Sequence, residues 1–402
     1  MNKKILLSVV GGISIIGASY FVINNNYDPY EVPEDVNINL NENIFKVYEE
    51  HNSSELIKDI NAEIISDEKI LENEKIGNYT YTLLYKYKKR KYKYDINYQI
   101  KDMTPPVFIN APSNLTMEAS DELEVCEKIV YADDYQDIPN CQINGTYDKK
   151  SIGTYDDLEY VISDNSGNET KKKFKLNIVD KIKNNYTPTK PKYLYMDDII
   201  KKYKNDKTSI GIDVSKWQGN VDFKAVKDAG VEFVIMRIGS QRDPSEDISM
   251  DVKFKEYYKA AKEVGLSIGV YVYNTAISKE DGIKTARWVM KELNGDKLDF
   301  PIAYDFENWT NFMDYKISLH TLSEAYKAFE KELQNNGYDA MLYGSKFYLE
   351  NVWIGYENSK VWLAHYTSKT DYKGNYMMWQ MTSLAKIDGI TENTVDIDIL
   401  YK

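Results

Sequence analysis

The feature that most constrains the fold is the alternation of short apolar strands with amphipathic helices after residue 207. This alternation predicts a parallel sheet covered by helices. Eight strands of this kind within about 200 residues indicate a TIM-like (β/α) barrel whose last helices are shortened. The predicted strands cover residues 209–215, 233–239, 267–276, 301–307, 339–345, 360–367, 376–383 and 394–401.

The predicted helices between these strands have recognisable ends. Residues 250–265 and 318–337 carry apolar residues at helical spacing, and each run stops at a glycine, Gly265 or Gly337. Ser278, with Asp281 three residues later, is typical of a helix N-terminus. These signals strengthen the prediction of strand–helix alternation.

The region before the barrel has strand periodicity of two, and part of it is repeated. IGNY at 76–79 matches IGTY at 152–155, and each copy continues into a hairpin and a strand that ends in aspartate. The pattern resembles small bacterial immunoglobulin-like β-sandwiches. Two all-β domains, residues 28–102 and 103–181, are therefore predicted as a stalk or adhesion module.

The N-terminal residues 1–27 are predicted to be a signal anchor. Two lysines precede an uncharged run of 19 residues, Ile5 to Ile23, which is long enough to span a bilayer. Positive charge keeps the short end in the cytoplasm, so the bulk of the chain would be extracellular. The alternative is a cleaved signal peptide and a secreted protein. Residues 182–207, rich in Asn, Lys and Pro at their start, are predicted to be a linker to a catalytic domain at 208–402.

Composition excludes several function classes. A net charge of −12 argues against nucleic acid as a partner. The chain has three histidines, so it offers few candidate residues for a histidine-based metal site or a Ser-His-Asp triad. Cys126 and Cys141 would form a disulfide in an oxidising compartment, although two free thiols remain the alternative.

Acidic residues near the predicted strand ends are the candidates for chemistry. Asp213 lies late in the first strand, Asp305 and Glu307 in the fourth, and Asp396 and Asp398 in the last. Because side chains alternate along a strand, Asp305 and Glu307 should point to the same side. Because the first and last strands of a closed barrel are neighbours, Asp213 and Asp396 should meet at the functional end.

Clustered carboxylates suit glycoside hydrolysis. Neighbouring acids push their pKa values apart, so that one can donate a proton to the leaving oxygen while another supports the cationic sugar. A site for a hard cation such as Mg²⁺ or Ca²⁺ is the competing chemical interpretation, and solvated loop acids are the structural one. Four acids at the strand ends of one barrel favour a functional site.

Several motifs together resemble family 25 glycoside hydrolases, the Chalaropsis-type N-acetylmuramidases. They are GIDVSKWQGNVDF, VIMRIG, GVYVYNTA, PIAYDFEN, YGSKFYLEN, VWLAHYT, WQMTS and VDIDIL, in the family's order. The resemblance implies an irregular β/α barrel that cleaves the β-1,4 bond between N-acetylmuramic acid and N-acetylglucosamine in peptidoglycan, without a metal or other cofactor. By motif, Glu307 corresponds to the general acid and Asp305 to the acid that orients the substrate's 2-acetamido group. Asp213 and Asp396 correspond to the remaining acids.

Aromatic and polar residues on the same strands are candidates for sugar binding, with barrel core as the alternative for each aromatic. We predict that Trp379 contacts substrate and that Arg237 pairs with Asp213 or Asp305 or binds the ligand. The other candidates are Tyr271, Tyr343, Trp362, Tyr366, Gln218 and Gln380. One departure from the family is YVYN at 271–274, where many members have His-Phe after the first tyrosine.

The predicted function is an exported, membrane-anchored peptidoglycan hydrolase that acts on glycan strands. Two alternatives stay open. One is a non-catalytic wall-binding or adhesion protein with a decayed barrel, and the other is a chitinase-like or other hexosaminidase specificity.

Overall fold

The computed structural model describes residues 28–183 and 191–402. The chain divides into two compact units, Met1–Lys101 and Asp102–Lys402. The predicted signal anchor at 1–27 lies outside the described residues. Within the described ranges, every helix is too short or too polar to cross a bilayer.

The first unit is all β in its described part, as its period of two predicts. Strands β5 and β6 form a long antiparallel hairpin that turns at Lys88 and Lys89, both with positive φ. One sheet has the order β2-β6-β5-β4, and β1 pairs with β3 in a second. The strands are β1 (Ile38–Leu40), β2 (Ile44–Lys46), β3 (Ile57–Ile60), β4 (Glu63–Ile64), β5 (Gly77–Tyr87) and β6 (Arg90–Lys101).

The second unit begins with a β domain that repeats this strand order. Its main sheet has the order β10-β11-β12-β8, and β7 pairs with β9 in a second. In both β domains the edge strand that comes early in the domain pairs in parallel with the domain's last strand. The strands are β7 (Val107–Asn110), β8 (Asn114–Glu118), β9 (Val130–Ala132), β10 (Asn140–Asn144), β11 (Gly153–Ser163) and β12 (Glu169–Val179). The shared topology agrees with the predicted repeat, and the immunoglobulin-like assignment stays a prediction.

The β domain has its own core and a disulfide. Cys126 and Cys141 are bonded to each other, with their α-carbons 6.0 Å apart. The core includes stacked rings of Tyr160 and Phe174, whose centroids are 3.6 Å apart. The domain also packs on the barrel, because Ile109, Val130 and Ala132 belong to the barrel's main apolar cluster. The predicted domain at 103–181 is therefore part of one compact unit with the barrel.

The barrel contains all eight predicted strands, in a closed sheet with the order β14-β15-β17-β18-β19-β20-β21-β22. The last strand, β22, also pairs with β14, which closes the ring. The strands are β14 (Thr208–Val214), β15 (Phe233–Ser240), β17 (Ser267–Tyr273), β18 (Ile302–Asp305), β19 (Ala340–Ser345), β20 (Lys360–Ala364), β21 (Met378–Ile387) and β22 (Ile390–Tyr401). A short β16 (Ser249–Met250) pairs with the end of β15.

The barrel helices follow the predicted pattern. The side chain of Ser278 accepts a hydrogen bond from the Asp281 N–H at the start of α4, and α3 and α6 end beside Gly265 and Gly337, both with positive φ. Helix α7 has six residues, and the described residues between β20 and β21 contain no helix, so the last helices are indeed shortened. The helices are α2 (Phe223–Asp228), α3 (Phe254–Glu263), α4 (Lys279–Leu293), α5 (Phe312–Tyr315), α6 (Leu319–Asn335) and α7 (Lys346–Asn351).

Two features of the barrel differ from the predictions. First, β22 is antiparallel to both of its neighbours, so its beginning, and not its end, lies near the mouth. Second, the predicted linker at 182–207 is structured in part. Strand β13 (Leu194–Tyr195) pairs with β21, and helix α1 (Met196–Tyr203) buries Met196 and Ile199 against the barrel. Because the segment begins with polar residues, the short amphipathic helix that follows them was not predicted.

Candidate active site

A pocket of about 320 Å³ opens at the end of the barrel where its parallel strands finish. It brings together the four predicted acids and seven of the eight predicted sugar-binding residues. The lining residues are Asp213, Ser215, Trp217, Gln218, Arg237, Tyr271, Tyr273, Asp305, Glu307, Tyr343, Trp362, Tyr366, Gln380 and Asp396. This location agrees with the rule that βα-barrels hold their sites at this end.

Strand alternation at the end of β18 directs the paired acids into the pocket. Ala303 lies in the barrel interior, and Tyr304 lies in the layer between strands and helices. Asp305 therefore points inward again. The strand ends at Asp305, and Phe306 is buried outside the barrel with its ring 4.9 Å from that of Trp309. Packing of Phe306 in that layer returns Glu307 to the pocket, as the sequence predicts.

Asp305 is a buried carboxyl group with an open acceptor. Its side chain is 4% exposed, and no described residue donates a hydrogen bond to its Oδ1. Burial raises its pKa well above the usual range, the charges of Glu307 and Asp213 add to the rise, and Arg237 opposes it. Such an oxygen can accept an N–H from a bound ligand, since an unpaired buried acceptor is costly.

Glu307 belongs to two adjoining depressions. Its side chain reaches solvent, but the pocket walls displace much of its water. This desolvation raises its pKa, and the Tyr343 hydroxyl, within hydrogen-bonding reach, opposes the rise. The second depression is lined by Glu307, Tyr343, Ser345, Lys346, Phe347, Glu350, Ala364, His365 and Tyr366. A carboxyl group with a raised pKa thus lies where the two depressions meet.

Asp213 and Asp396 face each other across the paired strands β14 and β22. Burial raises the pKa of Asp213 well above its ordinary value, with Asp398 the strongest charged contributor. Burial, together with the charges of Asp213 and Glu307, raises the pKa of Asp396 to about 9. Asp396 reaches the pocket because β22 is antiparallel. The predicted adjacency of the first and last strands is thus confirmed, whereas the prediction that Asp396 lies near the mouth at the end of a parallel strand is wrong.

Asp398 lies deeper, beneath the pocket. It is fully buried, and its Oδ1 accepts a hydrogen bond of 2.8 Å from the indole N–H of Trp362. It also interacts with the carboxyl group of Asp213. Burial raises the pKa of Asp398 well above its usual range, which favours the protonated form within this pair.

Gln380 connects several predicted residues. Its Nε2 donates a hydrogen bond of 2.7 Å to Asp213, and its Oε1 accepts from Tyr343 at 2.9 Å and Tyr366 at 3.0 Å. Gln218 has a scaffold contact, because its Oε1 accepts the Ser215 N–H at 2.8 Å. Both glutamines fix the positions of pocket groups.

Two sequence predictions need correction. Arg237 pairs with Asp251, which lies 2.6 Å from its Nη2 and is almost fully buried, and not with Asp213 or Asp305. Asp251 follows the short strand β16, whose pairing with β15 could not be read from the sequence.

Trp379 does not line either depression described above. On β21 its neighbour Gln380 points into the pocket, so Trp379 points outward, where it packs edge-on against Tyr203 of α1. Its indole N–H donates to the backbone oxygen of His365 at 2.8 Å. Trp362, by contrast, lies inside the barrel at the pocket floor.

Two aromatic residues of the pocket, Trp217 and Tyr273, are not among the predicted site residues. Trp217 is 62% exposed and lines the pocket wall, and Tyr273 lies at the end of β17. Trp217 lies four residues after Asp213 in the motif GIDVSKWQGNVDF, and this position near a predicted acid could have identified it as a site residue. Tyr273 is the second tyrosine of YVYN, at the position where the sequence departs from the family.

Residues 212–390 match the sequence model of the family described as glycosyl hydrolases family 25. These residues form a family 25 glycosyl hydrolase domain. The autolytic lysozyme of Clostridium acetobutylicum is 30% identical over 191 residues, which are 47% of this chain and 54% of that protein. The chain thus spans about half the length of this relative. The uncharacterized protein YegX of Escherichia coli K12 is 27% identical over 194 residues, or 47% of this chain and 68% of YegX.

Solved structures also resemble this chain in part. The spore cortex lytic enzyme SleM of Clostridium perfringens aligns with a TM-score of 0.43 and 21% identity, over 49% of this chain and 68% of SleM. A bacterial lysozyme from Streptomyces coelicolor aligns with a TM-score of 0.42 and 22% identity, over 48% of this chain and 92% of that one.

Proposed function

We propose that this protein is an N-acetylmuramidase that hydrolyses the β-1,4 bond between N-acetylmuramic acid and N-acetylglucosamine in peptidoglycan. One observation carries the proposal: four acids of a family 25 domain line a single pocket, and Glu307 lies where that pocket meets a second depression. The name of the Clostridium acetobutylicum relative, autolytic lysozyme, agrees with this activity.

Glu307 is the proton donor in this proposal. Its raised pKa keeps a proton on the carboxyl group at a pH where an ordinary glutamate would have lost it. A glycan strand that occupies both depressions has its scissile bond at their junction, beside this group. Donation to the glycosidic oxygen lets the C1–O bond break as positive charge develops on the sugar.

Asp305 orients the acetamido group of the sugar in the first pocket. Its open Oδ1 accepts the acetamido N–H, which turns the acetamido oxygen towards C1. That oxygen then bonds to C1 as the leaving group departs with the proton from Glu307. Water attacks C1 next, gives its proton to Glu307, and the bond to the acetamido oxygen breaks. The sum of the steps is one hydrolysis, with the enzyme restored.

The remaining acids contribute to the electrostatic field in the pocket. Asp213 and Asp396 lie opposite the Glu307 side of the site and favour developing positive charge whenever they are ionised. Gln380 holds Asp213 in place, and the tyrosines around it supply hydroxyl groups and ring faces for sugar.

Export and membrane anchoring complete the proposal. They rest on the apolar run at Ile5 to Ile23 behind two lysines. The two β domains with the same strand order would then hold the family 25 domain away from the membrane.

The test is digestion of purified cell walls by the full chain, followed by analysis of the released fragments. We expect loss of turbidity and fragments with muramic acid at the reducing end. Wall pelleting without released reducing sugar would favour the wall-binding alternative. Fragments with N-acetylglucosamine at the reducing end would favour a different hexosaminidase specificity.

A further inference from the structure

A second cluster of acids lies in the β domain, outside the family 25 domain. Asp102 precedes β7, Asp133 directly follows β9, and Asp164 directly follows β11. One carboxylate oxygen of each lies within 4.8 Å of the other two. The three residues are 6%, 1% and 5% exposed, so the cluster is almost closed to solvent. Three segments that are distant in sequence thus meet at one buried point.

The negative charges of this cluster act on one another. The charged groups that raise the pKa of Asp102 and Asp133 are other aspartates. Burial raises the pKa of Asp102 and of Asp133 to about 6. Buried carboxylates are normally paired with a cation or bound to a metal, because an isolated buried charge is expensive.

Hydrogen bonds hold the carboxylates in place, and Asp133 keeps one oxygen free. The Oδ1 of Asp133 accepts the N–H groups of Tyr135 at 3.0 Å and Gln136 at 2.6 Å. Its Oδ2 is buried, and no described residue donates to it. The hydroxyl oxygen of Thr104 is likewise buried without a partner, and the N–H of Thr104 donates to Asp102 at 3.1 Å. These unused oxygens are a feature separate from the clustering of charge.

We propose that Asp102, Asp133 and Asp164 bind a calcium ion. The donor set consists of oxygen atoms, which hard divalent cations prefer. Ca²⁺ accepts irregular arrangements of carboxylate, hydroxyl and water oxygens, whereas Mg²⁺ requires a near-ideal octahedron. Three segments of unequal geometry therefore favour calcium. The Thr104 hydroxyl is available as a fourth protein ligand.

The ion would fix the loop after β9, which contacts the barrel. The backbone oxygens of Asp133 and Asp134 accept the N–H groups of Leu319 and His320 at the start of α6, at 2.8 and 3.2 Å. Met313 of α5 packs against both the barrel core and the core of the β domain. Calcium binding at Asp133 would therefore stabilise this contact. None of these residues lines the catalytic pocket, so the inference is independent of the proposed hydrolase activity.

The test is calcium titration of the full chain after removal of divalent ions with EDTA. Calorimetry should detect one calcium ion per chain. Saturation at about 100 times the dissociation constant should raise Tm by roughly 5 °C. Asp133→Asn retains the acceptor for both backbone N–H groups and should weaken binding at least about tenfold. The matched control Asp137→Asn changes an exposed acid on the same loop and should bind like the wild type.

Two kinds of result would overturn the proposal. One is the absence of both binding heat and a Tm shift for the wild type at millimolar calcium, a measurement that does not depend on any variant. The other is an equal calcium response in Asp133→Asn and the wild type. A response to magnesium with none to calcium would overturn the choice of ion. If Asp133→Asn does not fold, Thr104→Val should still weaken calcium binding relative to Asp137→Asn.

Discussion

Replacing Glu307 by glutamine should abolish proton donation while leaving the fold intact. Glutamine has the same shape, and it removes a charge that opposes ionisation of Asp305. Glu307 reaches solvent and packs little of its side chain into the core. The free energy of unfolding should therefore stay the same or rise slightly, so a loss of activity would report on chemistry alone.

The expected loss follows from the role. General acid–base catalysis contributes about 10²- to 10⁴-fold, which corresponds to roughly 2.7–5.4 kcal/mol of activation free energy. The fall should appear in kcat, because the side chain that remains can still contact the sugar. KM should change little.

The assay is the rate of reducing-end release from purified cell walls as a function of pH. Wild-type activity should fall as pH rises through the pKa of Glu307, because the donor loses its proton. Desolvation raises that pKa, so the fall should begin above the ordinary range of a glutamate. The residual activity of Glu307→Gln should lack this alkaline limb. Glu357→Gln, which changes an exposed glutamate of the same domain, should behave like the wild type.

Proton donation by Glu307 would be refuted if Glu307→Gln kept more than about a tenth of wild-type kcat with an unchanged Tm. An alkaline limb that persisted unchanged in the variant would also assign proton donation to another group.

Four further variants test other parts of the structure. Burial and neighbouring carboxylates raise the pKa of Asp396 to about 9 in the folded protein, against 3.8 in the unfolded chain. The folded state is therefore favoured by this group's proton at low pH, and that contribution to the free energy of unfolding is lost as pH rises from 3.8 towards 9. Asp396→Asn should therefore raise stability at pH 7, by at most about 4 kcal/mol, with a smaller gain at pH 4 in thermal denaturation. Trp217→Ala should raise KM for wall fragments at unchanged Tm, whereas Trp379→Ala should cost about 3–5 kcal/mol of stability in denaturant titration, and the opposite pattern would reverse their assigned positions. Replacing Cys126 and Cys141 together by alanine should destabilise the β domain by about 3 kcal/mol, since the bond closes a loop of 15 residues, and an unchanged Tm would contradict this.

Local patterns were sufficient for much of the fold and part of the site. The period of strands and helices, with stops at Gly265 and Gly337, predicted all eight barrel strands and the main helices. Alternation along the predicted strand placed Asp305 and Glu307 on the same side. The observed β18 ends at Asp305, and packing of Phe306 against Trp309 keeps Glu307 on that side.

Local periodicity could not predict whether a strand runs parallel or antiparallel to its neighbours. A parallel β22 would bring its end to the mouth, and the antiparallel strand brings its beginning there instead. Periodicity is the same in both directions, so the topology decided that Asp396 lines the pocket and Asp398 lies beneath it.

The sequence by itself determined the elements, the inward face of β18 and the acids that could do chemistry, because these depend on neighbours a few residues apart. Tertiary structure decided which partner each side chain meets. Arg237 pairs with Asp251 through the short β16, and Trp379 packs under α1 within the predicted linker. These contacts join segments that are far apart in the chain, and no local pattern encodes which of several chemically suitable partners lies within reach.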